Sequence, residues 1–192
     1  MFNRYYPINE QVFNELFSMG KIQKLKKGTL LLDVGKVSKN IHILLEGSIV
    51  SHYLSPDGTE YHKNIFLEGD FVGSTVSALK KEPSNFALTA IEDSKVFTFE
   101  HDQYQSMIRQ HAALKDFYIA YLEKNWVVDK EKREIEIVMK EAAERYADFI
   151  TAHPRIEERI PLHYIASHLG ITPTQLSRIR KKIKEKGGSQ HM

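Results

Sequence analysis

Short apolar runs separated by turn residues fill the first half of the chain, between Ile22 and Phe99. Six of these runs are rich in branched and aromatic residues: Leu30-Leu-Leu, Ile41-His-Ile-Leu-Leu, Ser48-Ile-Val-Ser-His-Tyr-Leu, Tyr61-His-Lys-Asn-Ile-Phe, Ala87-Leu-Thr-Ala-Ile and Lys95-Val-Phe-Thr-Phe. The turn signals between them are Lys27-Gly28, Glu46-Gly47, Pro56-Asp-Gly58 and Glu68-Gly-Asp70. Strands this short and this regularly spaced predict an antiparallel β-roll or jelly roll.

A helical pattern precedes the strands, from Asn9 to Met19. The apolar residues that share one face of this segment are Val12, Phe13, Leu16 and Phe17. An apolar stripe on a helix needs a partner surface. We therefore predict that this helix packs against the barrel.

From Ala112 to Met139 the apolar residues follow alternating steps of four and three, which is a heptad seam. Neither Gly nor Pro interrupts the segment, so we predict one long continuous helix. An Asn within such a seam can fix the register of a two-stranded pairing. We predict a homodimer whose interface contains Leu114, Tyr118, Tyr121, Asn125 and Val128. The alternative is a single helix that lies on its own barrel.

Beyond residue 140 the sequence predicts several shorter helices. An amphipathic helix runs through Ala142 to Ile150 and ends before His153-Pro154. The alternating acidic and basic segment Arg155–Arg159 is predicted to be a linker. Two short helices joined by a tight turn then follow over residues 160–183.

Local signals define that turn and the second helix. Gly170 can adopt the left-handed conformation that ends the first helix. Thr172 is a good N-cap, and Pro173 occupies the first helical position, where its missing N–H is not needed. The apolar residues predicted to face the first helix are Leu176, Ile179 and Ile183. The pattern is that of a helix-turn-helix.

Positive charge is concentrated on this second helix. Between Thr172 and Lys186 there are six cations and one acid, hence +5, whereas the whole chain carries +2. Such a concentration of charge attracts phosphates, so we predict double-stranded DNA as the partner. The predicted DNA-contacting residues are Thr172, Thr174, Gln175, Ser177, Arg178, Arg180, Lys181 and Lys182. The alternative is a solvated basic helix with no partner.

Composition limits the remaining possibilities. The absence of cysteine excludes disulfides, thiolate metal sites and cysteine nucleophiles. No stretch approaches the ~20 apolar residues of a membrane span, and the first residues show no apolar signal segment, so we expect a cytoplasmic protein with no membrane partner. We find no catalytic arrangement or phosphate-cradling loop and predict a protein that is not an enzyme. The closing Gly-Gly-Ser-Gln-His-Met is assigned no function.

A barrel, a long helix and a C-terminal helix-turn-helix, in that order, resemble the CRP/FNR family of bacterial transcription regulators. The residues that carry the resemblance are the glycine series Gly28, Gly35, Gly47, Gly58, Gly69 and Gly73, with Leu44-Leu-Glu-Gly-Ser48 and Glu68-Gly-Asp-Phe-Val-Gly73. The segment from Tyr164 to Lys181 is similar to Bacteroidetes-type members.

The resemblance implies an α+β protein with three parts. Residues 1–111 would form a cyclic-nucleotide-binding-like β-roll sensor domain, and residues 112–139 a dimerisation helix. Residues 140–192 would form a winged-helix-like DNA-binding domain whose wing is absent or short, because little sequence follows Ile183. An activator of this type would also contact RNA polymerase, but the sequence identifies no surface for it.

The implied effector pocket departs from the family pattern. Members that bind cyclic AMP follow the glycine equivalent to Gly73 with a Glu for the ribose, and they hold the phosphate with an Arg-Ser pair. An ungapped count places Ser74, Ser84 and Asn85 at those positions. Without the Arg, a buried phosphate loses a charge-assisted hydrogen bond. We therefore expect cyclic AMP to bind weakly or not at all, and the sequence names no other effector or cofactor.

The implied recognition helix departs as well. Members that recognise the best-known palindrome use Arg, Glu and Arg, and the matching residues here are Pro173, Thr174 and Arg178. Arg178 is therefore the main candidate for a base contact, since Arg to guanine is the commonest specific contact.

Two alternatives remain open at this point. One is a DNA-binding dimer that needs no ligand and whose sensor pocket is vestigial. The other is a cupin-like metalloenzyme, in which His42, Glu46, His52 and His62 would meet in the barrel.

Overall fold

The computed structural model describes residues 5–55 and 60–188 of the 192-residue chain, so the predicted turn at residues 56–58 and the last four residues lie outside the described part. The described residues form eight strands: β1 (Lys21–Leu25), β2 (Leu30–Leu32), β3 (Asn40–Glu46), β4 (Ile49–Leu54), β5 (Glu60–Phe66), β6 (Phe71–Val72), β7 (Ala87–Ala90) and β8 (Ser94–Glu100). They pair into two antiparallel sheets, in the orders β1-β8-β3-β6 and β2-β7-β4-β5. The predicted α+β class with an antiparallel jelly roll is confirmed.

The interior of the jelly roll is apolar. Its buried residues come from both sheets: Leu44, Ile49, Val72, Leu88, Ala90 and Val96. Because side chains alternate across a strand, the residues between them point outward and need other cover.

Helices cover the outer face of the first sheet. They are α1 (Glu10–Ser18), α3 (His101–Gln110) and α4 (Ala112–Leu122). As predicted, α1 packs against the barrel through Val12 and Leu16, which are buried. The ring of Phe17 stacks on Phe97 although Phe17 stays half exposed. The sequence did not predict α3, nor the short helix α2 (Thr75–Lys80) between β6 and β7.

The long helix is interrupted, contrary to the prediction of one continuous α-helix. Between α4 and α5 (Asp129–Met139) the segment Glu123–Val128 is a π-helix. Within it, the side-chain amide of Asn125 donates to the carbonyl oxygen of Tyr121 at 2.8 Å, which competes with the regular backbone pattern. The wider turn shifts every following residue around the helix axis.

The first part of the heptad seam faces the chain's own barrel. Leu114, predicted to lie in a dimer interface, is instead fully buried in the core under the first sheet of its own chain. Tyr118 packs against the same core, and the ring of Tyr121 lies 4.9 Å from that of Phe71. Asn125 lies 3.2 Å from the hydroxyl of Tyr5 in the N-terminal segment. Val128, in contrast, is 55% exposed.

Four helices follow α5 in the described residues: α6 (Ala142–Ala152), α7 (Ile156–Arg159), α8 (Leu162–His168) and α9 (Pro173–Gly188). The predicted linker at residues 155–159 is therefore a helical turn, because Ile156 is buried and anchors it. No strand follows β8 in the described residues. None of the described helices is long and apolar enough to span a membrane.

The C-terminal helices do not form a separate core. Val50 of the second sheet, and Ile91 directly after β7, belong to the same buried cluster as Tyr146, Ile160 and Ile165. The outer face of that sheet is thus covered by α6 to α9, as the first sheet is covered by α1, α3 and α4.

Candidate nucleic-acid interface and effector pocket

The turn between α8 and α9 is held by backbone hydrogen bonds. Gly170 has φ +69°, and its N–H donates to the carbonyl of Ser167 while that of Ile171 donates to Ala166, both at 3.0 Å. This pair of bonds ends a helix at a left-handed residue. The predicted role of Gly170 is confirmed.

A reciprocal pair of hydrogen bonds starts α9. The backbone N–H of Gln175 donates to the Thr172 hydroxyl at 3.1 Å, and that of Thr172 donates to the Gln175 side-chain oxygen at 2.8 Å. This capping box confirms Thr172 as the N-cap. It also occupies the side-chain oxygen of Gln175, which was predicted to be available for DNA.

One side of α9 is packed and the other is exposed. Leu176 is fully buried between the helices, and Ile179 packs against the same cluster. The exposed side, called here the polar face of α9, consists of Thr174, Ser177, Arg178, Lys181 and Lys182. Hydroxyls and cations therefore lie on the side of α9 opposite its apolar residues, where the sequence predicted a polar surface.

Arg180 differs from the other predicted DNA-contacting residues. Its Nε lies 2.7 Å from a carboxylate oxygen of Glu157 in α7, and its side chain is only 28% exposed. Arg178, on the polar face, has no ion-pair partner among the described residues. Arg180 thus links α9 to α7 rather than extending the polar face.

Two arginines fix the C-terminal end of α8. The guanidinium of Arg133 in α5 donates to the carbonyl of His168 at 3.1 Å and to the side-chain oxygen of Asn64 in β5 at 3.2 Å. Arg145 in α6 donates to the carbonyl of Leu169 at 3.1 Å. Cations at a helix C-terminus are favourable because the last carbonyls have no partner within the helix.

A third arginine joins α7 to the barrel. Arg159 contacts both carboxylate oxygens of Glu68, at 2.6 and 3.2 Å, and also Glu92 at 2.7 Å. Nearby, the backbone N–H of His62 in β5 donates to the hydroxyl of Ser167 in α8 at 2.9 Å. Local sequence patterns do not predict these contacts, because the partners lie 67 to 105 residues apart in the chain.

The predicted effector pocket brings two of its four residues together. The hydroxyls of Ser74 and Ser84 lie 3.0 Å apart, and both side chains are buried. Ser84 Oγ is also 2.8 Å from the carbonyl oxygen of Phe86. Gly73 precedes this pair, whereas Asn85 is exposed and stands apart from it. The two buried hydroxyls predicted to line the pocket thus bond to each other and to the protein backbone.

The two lysines of the loop between the serines are already paired. Lys80 and Lys81 at the end of α2 are exposed, and they pair with Glu82 and Asp102 respectively. A cavity of about 240 Å³ lies nearby. It is lined by Leu31, Leu32, Asp33, Lys36, Val37, Ser38, Lys39, Asn40, His42 and Leu88.

The residues of the metalloenzyme alternative do not converge. His42 is buried and lies 2.8 Å from the Thr98 hydroxyl in the first sheet, and burial lowers its pKa to about 4. His52 and His62 face each other across β4 and β5 in the second sheet, with ring centroids 5.9 Å apart. Within the part of the chain that the structure describes, no group of three or more His, Asp or Glu residues is placed to hold a metal ion.

The barrel matches a known family model. Residues 22–111 match the cyclic nucleotide-binding domain. In the matched domain the serine pair and α2 lie between β6 and β7, so the departures predicted from the sequence fall within it. No curated protein matches the chain in sequence.

Several solved structures have a fold similar to most of this chain. FixK2 from Bradyrhizobium japonicum is 17% identical, with 88% of this chain and 86% of that chain covered and a TM-score of 0.74. The c-di-GMP responsive global regulator CLP of Xanthomonas campestris is 13% identical, with 93% of each chain covered and a TM-score of 0.68. The Thermus thermophilus catabolite activator protein is 16% identical, with 95% of this chain and 87% of that chain covered and a TM-score of 0.58. At these identities the likeness shows the fold.

Proposed function

We propose that the chain is a dimeric transcription regulator of the CRP/FNR type that binds DNA in a sequence-specific manner through α9. The observation that carries this proposal is the polar face of α9, which stays exposed while Leu176 on the opposite side is fully buried. Two helices joined at Gly170, with a capped and basic second helix, suit insertion into a major groove. The regulators among the proteins of similar fold support the same class.

Within the polar face of α9, different side chains suit different contacts. Arg178 is exposed and suits a bidentate contact with guanine. Thr174, in the first turn of the helix, suits an adjacent base, whereas Ser177, Lys181 and Lys182 suit phosphates and set the register. Arg180 is committed to Glu157, so we remove it from the proposed DNA contacts.

An apolar surface on the long helix supports a dimer. The exposed large apolar residues from the π-helical segment onward are Trp126, Val127, Val128, Ile135, Ile137, Val138 and Met139. A surface of this kind on a helix usually contacts another chain. Two copies paired along it would present two α9 helices to half-sites about 34 Å apart. The proposed interface therefore retains Val128 and moves away from Leu114.

We propose further that cyclic AMP is not the effector. A bound phosphate needs a cation or several N–H donors, whereas Ser74 and Ser84 bond to each other and Lys80 and Lys81 pair with carboxylates. Titration calorimetry with millimolar cyclic AMP should give no tight, stoichiometric heat. The pocket would then hold another small molecule, or the dimer would bind DNA without a ligand.

A binding selection on randomised duplex DNA, without added ligand, tests the proposal. We expect a two-fold symmetric site. Arg178→Ala should then weaken binding by about 1–3 kcal/mol and relax preference at one position of each half-site. Arg180→Ala is the matched control, since it removes the same side chain from the same helix and should leave sequence preference unchanged.

Other outcomes would change the assignment. Equal weakening of all sequences by Arg178→Ala would assign that residue to phosphate. If only salt-sensitive, non-specific binding were recovered, the selection would be repeated with candidate ligands. Specific binding that appeared only with a ligand would reject the ligand-independent dimer, and its absence under every condition would reject the regulator.

A further inference from the structure

Three turns at one end of the jelly roll converge on a single arginine of the C-terminal region. The guanidinium of Arg159 donates to the carbonyl of Gly47 in the β3–β4 turn at 3.2 Å. It also contacts Glu68 in the β5–β6 turn and Glu92 in the β7–β8 turn, with shortest distances of 2.6 and 2.7 Å. The backbone N–H of Gly47 donates in turn to Glu68 at 3.0 Å. These four residues, called here the Arg159 cluster, form one connected network.

Electrostatics favours the Arg159 cluster in its charged form. Partial burial acts to raise the pKa of Glu68, but hydrogen bonds from Arg159 and from backbone N–H groups outweigh burial, and the pKa is lowered. Hydrogen bonds to Glu68 and then Glu92 raise the pKa of Arg159. The bidentate contact with Glu68 fixes the orientation of the guanidinium plane as well as its position.

The Arg159 cluster lies beside an apolar contact between the same two parts of the chain. Ile156 and Ile160, on either side of Arg159 in the sequence, are buried in the cluster that contains Val50 of the second sheet and Ile91 of the β7–β8 turn. The C-terminal helices therefore cannot turn relative to the barrel without breaking both the ionic and the apolar contacts. In this docked arrangement the polar face of α9, including Arg178, stays exposed.

We propose that Arg159 is a positioning residue for DNA binding: it fixes the angle between α9 and the barrel, and through the dimer it sets the spacing of the half-sites. The inference rests on the proposed function. Arg159 itself would touch no base, because its guanidinium is already committed to the barrel. Each added base pair moves a half-site by about 3.4 Å along the duplex and by about a tenth of a turn around it. A dimer whose two α9 helices are held at a fixed angle can therefore bind both half-sites only within a narrow range of spacings.

The preferred spacing between half-sites can be measured, and a loss of protein stability alone would not change it. The selected half-sites are placed in duplexes whose central spacer varies by single base pairs, and affinity is measured for the full-length protein. The wild type should prefer one spacer. Arg159→Gln should reduce that preference by about tenfold, the scale of coupling between groups in one ionic network, while the sequence preference within each half-site is retained.

Arg155→Gln is the matched control. Arg155 lies four residues away and pairs only with Glu158 of its own turn among the described residues, with 80% of its side chain exposed. It should leave the spacer profile unchanged. Glu68→Gln keeps the shape of the acidic partner and should broaden the profile in the same sense as Arg159→Gln. The double variant should add little to either single change.

The outcomes separate this proposal from the proposed function. An unchanged spacer profile in Arg159→Gln, with specific binding retained, overturns the positioning role alone. A uniform increase in affinity at every spacer also overturns it, since the docked arrangement would then hinder binding. If the wild type bound no specific sequence under any condition, the proposed function and the positioning role would fail together. Thermal unfolding of Arg159→Gln and Glu68→Gln should remain cooperative. If only Glu68→Gln folds, the spacer profile of Glu68→Gln tests the positioning role in place of Arg159→Gln.

Discussion

Substitutions of Leu114 and Val128 test which side of the long helix packs against the barrel of its own chain. Leu114 is fully buried among Val12, Tyr104 and Phe117, whereas Val128 is 55% exposed. Leu114→Ala removes three carbons from a closed core and leaves a cavity. Such a change costs about 3–5 kcal/mol, because the lost transfer free energy and the cavity add. Val128→Ala should change the stability of the single chain by roughly 0.5 kcal/mol or less.

The two variants should therefore differ in two measurements. With a urea dependence of about 1–3 kcal/mol per M, Leu114→Ala should lower the unfolding midpoint by roughly 1–5 M. Circular dichroism measured at several protein concentrations separates this effect from any effect of subunit association. Sedimentation equilibrium of the folded proteins should show weaker association for Val128→Ala and unchanged association for Leu114→Ala.

The opposite pattern would refute this account. If Leu114→Ala dissociated the dimer while its unfolding midpoint moved by less than that of Val128→Ala, Leu114 would face the partner, as the heptad spacing suggested. Ala113→Gly is a useful backbone control, because it tests helix stability next to Leu114 without removing a buried side chain.

Two further predictions concern pH and backbone geometry. Burial lowers the pKa of His42 to about 4 and that of His168 to about 3, so each stays neutral in the folded chain and takes up a proton on unfolding. The contribution of each neutral histidine to stability should be fully present above the pKa of the unfolded state, about 6.5. It should fall by about 1.4 kcal/mol per pH unit for each histidine as the pH drops toward 4. Urea midpoints at pH 7, 6 and 5 measure this loss, and His168→Gln should make the midpoint depend less steeply on pH. Gly47→Ala should destabilise the chain more than Gly69→Ala, although both glycines have φ near +95°. A Cβ at Gly47 would lie 2.3 Å from the Ser94 hydroxyl oxygen, whereas a Cβ at Gly69 would have open space beyond its chain neighbours. Both variants should lose roughly 1–2 kcal/mol of stability, because alanine is strained in a left-handed conformation. Equal unfolding midpoints would show that the backbone around Gly47 can move to accommodate the added Cβ.

The features best predicted from the sequence are those decided within a few residues. The turn at Gly170 and the cap at Thr172 depend on backbone conformation and on a hydrogen bond three residues away, and both were recognised from residue type and spacing. The strand pattern of the barrel is similarly local, because alternation and turn residues mark each strand.

The face of the long helix could not be assigned in the same way. A seam of apolar residues shows that one side is covered, but the same spacing serves a partner helix or the chain's own barrel. The π-helical segment at Asn125 rotates the following residues around the helix axis. The residue types do not predict this segment, since it contains neither Gly nor Pro. Tyr5, which meets Asn125, is 120 residues away in sequence.

The ionic contacts between the C-terminal helices and the barrel were missed for the same reason. Residues 155–159 have the composition of a solvated linker, and nothing in that segment indicates that Arg159 pairs with Glu68 whereas Arg155 pairs locally. Sequence spacing can indicate an ion pair within one helix, but an ion pair across 91 residues depends on how the jelly roll brings its turns together.

Strand β4 gives a physical reason why the sensor-like barrel and the C-terminal helices should act together. Ile49 points into the jelly roll, and its neighbour Val50 points outward into the cluster shared with α6 to α9. Because successive side chains of a strand are joined by one backbone, a shift of β4 would also move the surface on which those helices lie. Arg159 and Arg133 restrain the same helices from two other sides. A ligand that moved β4 would therefore act on the angle of α9, and the half-site spacing of Arg159→Gln would respond to it less than that of the wild type.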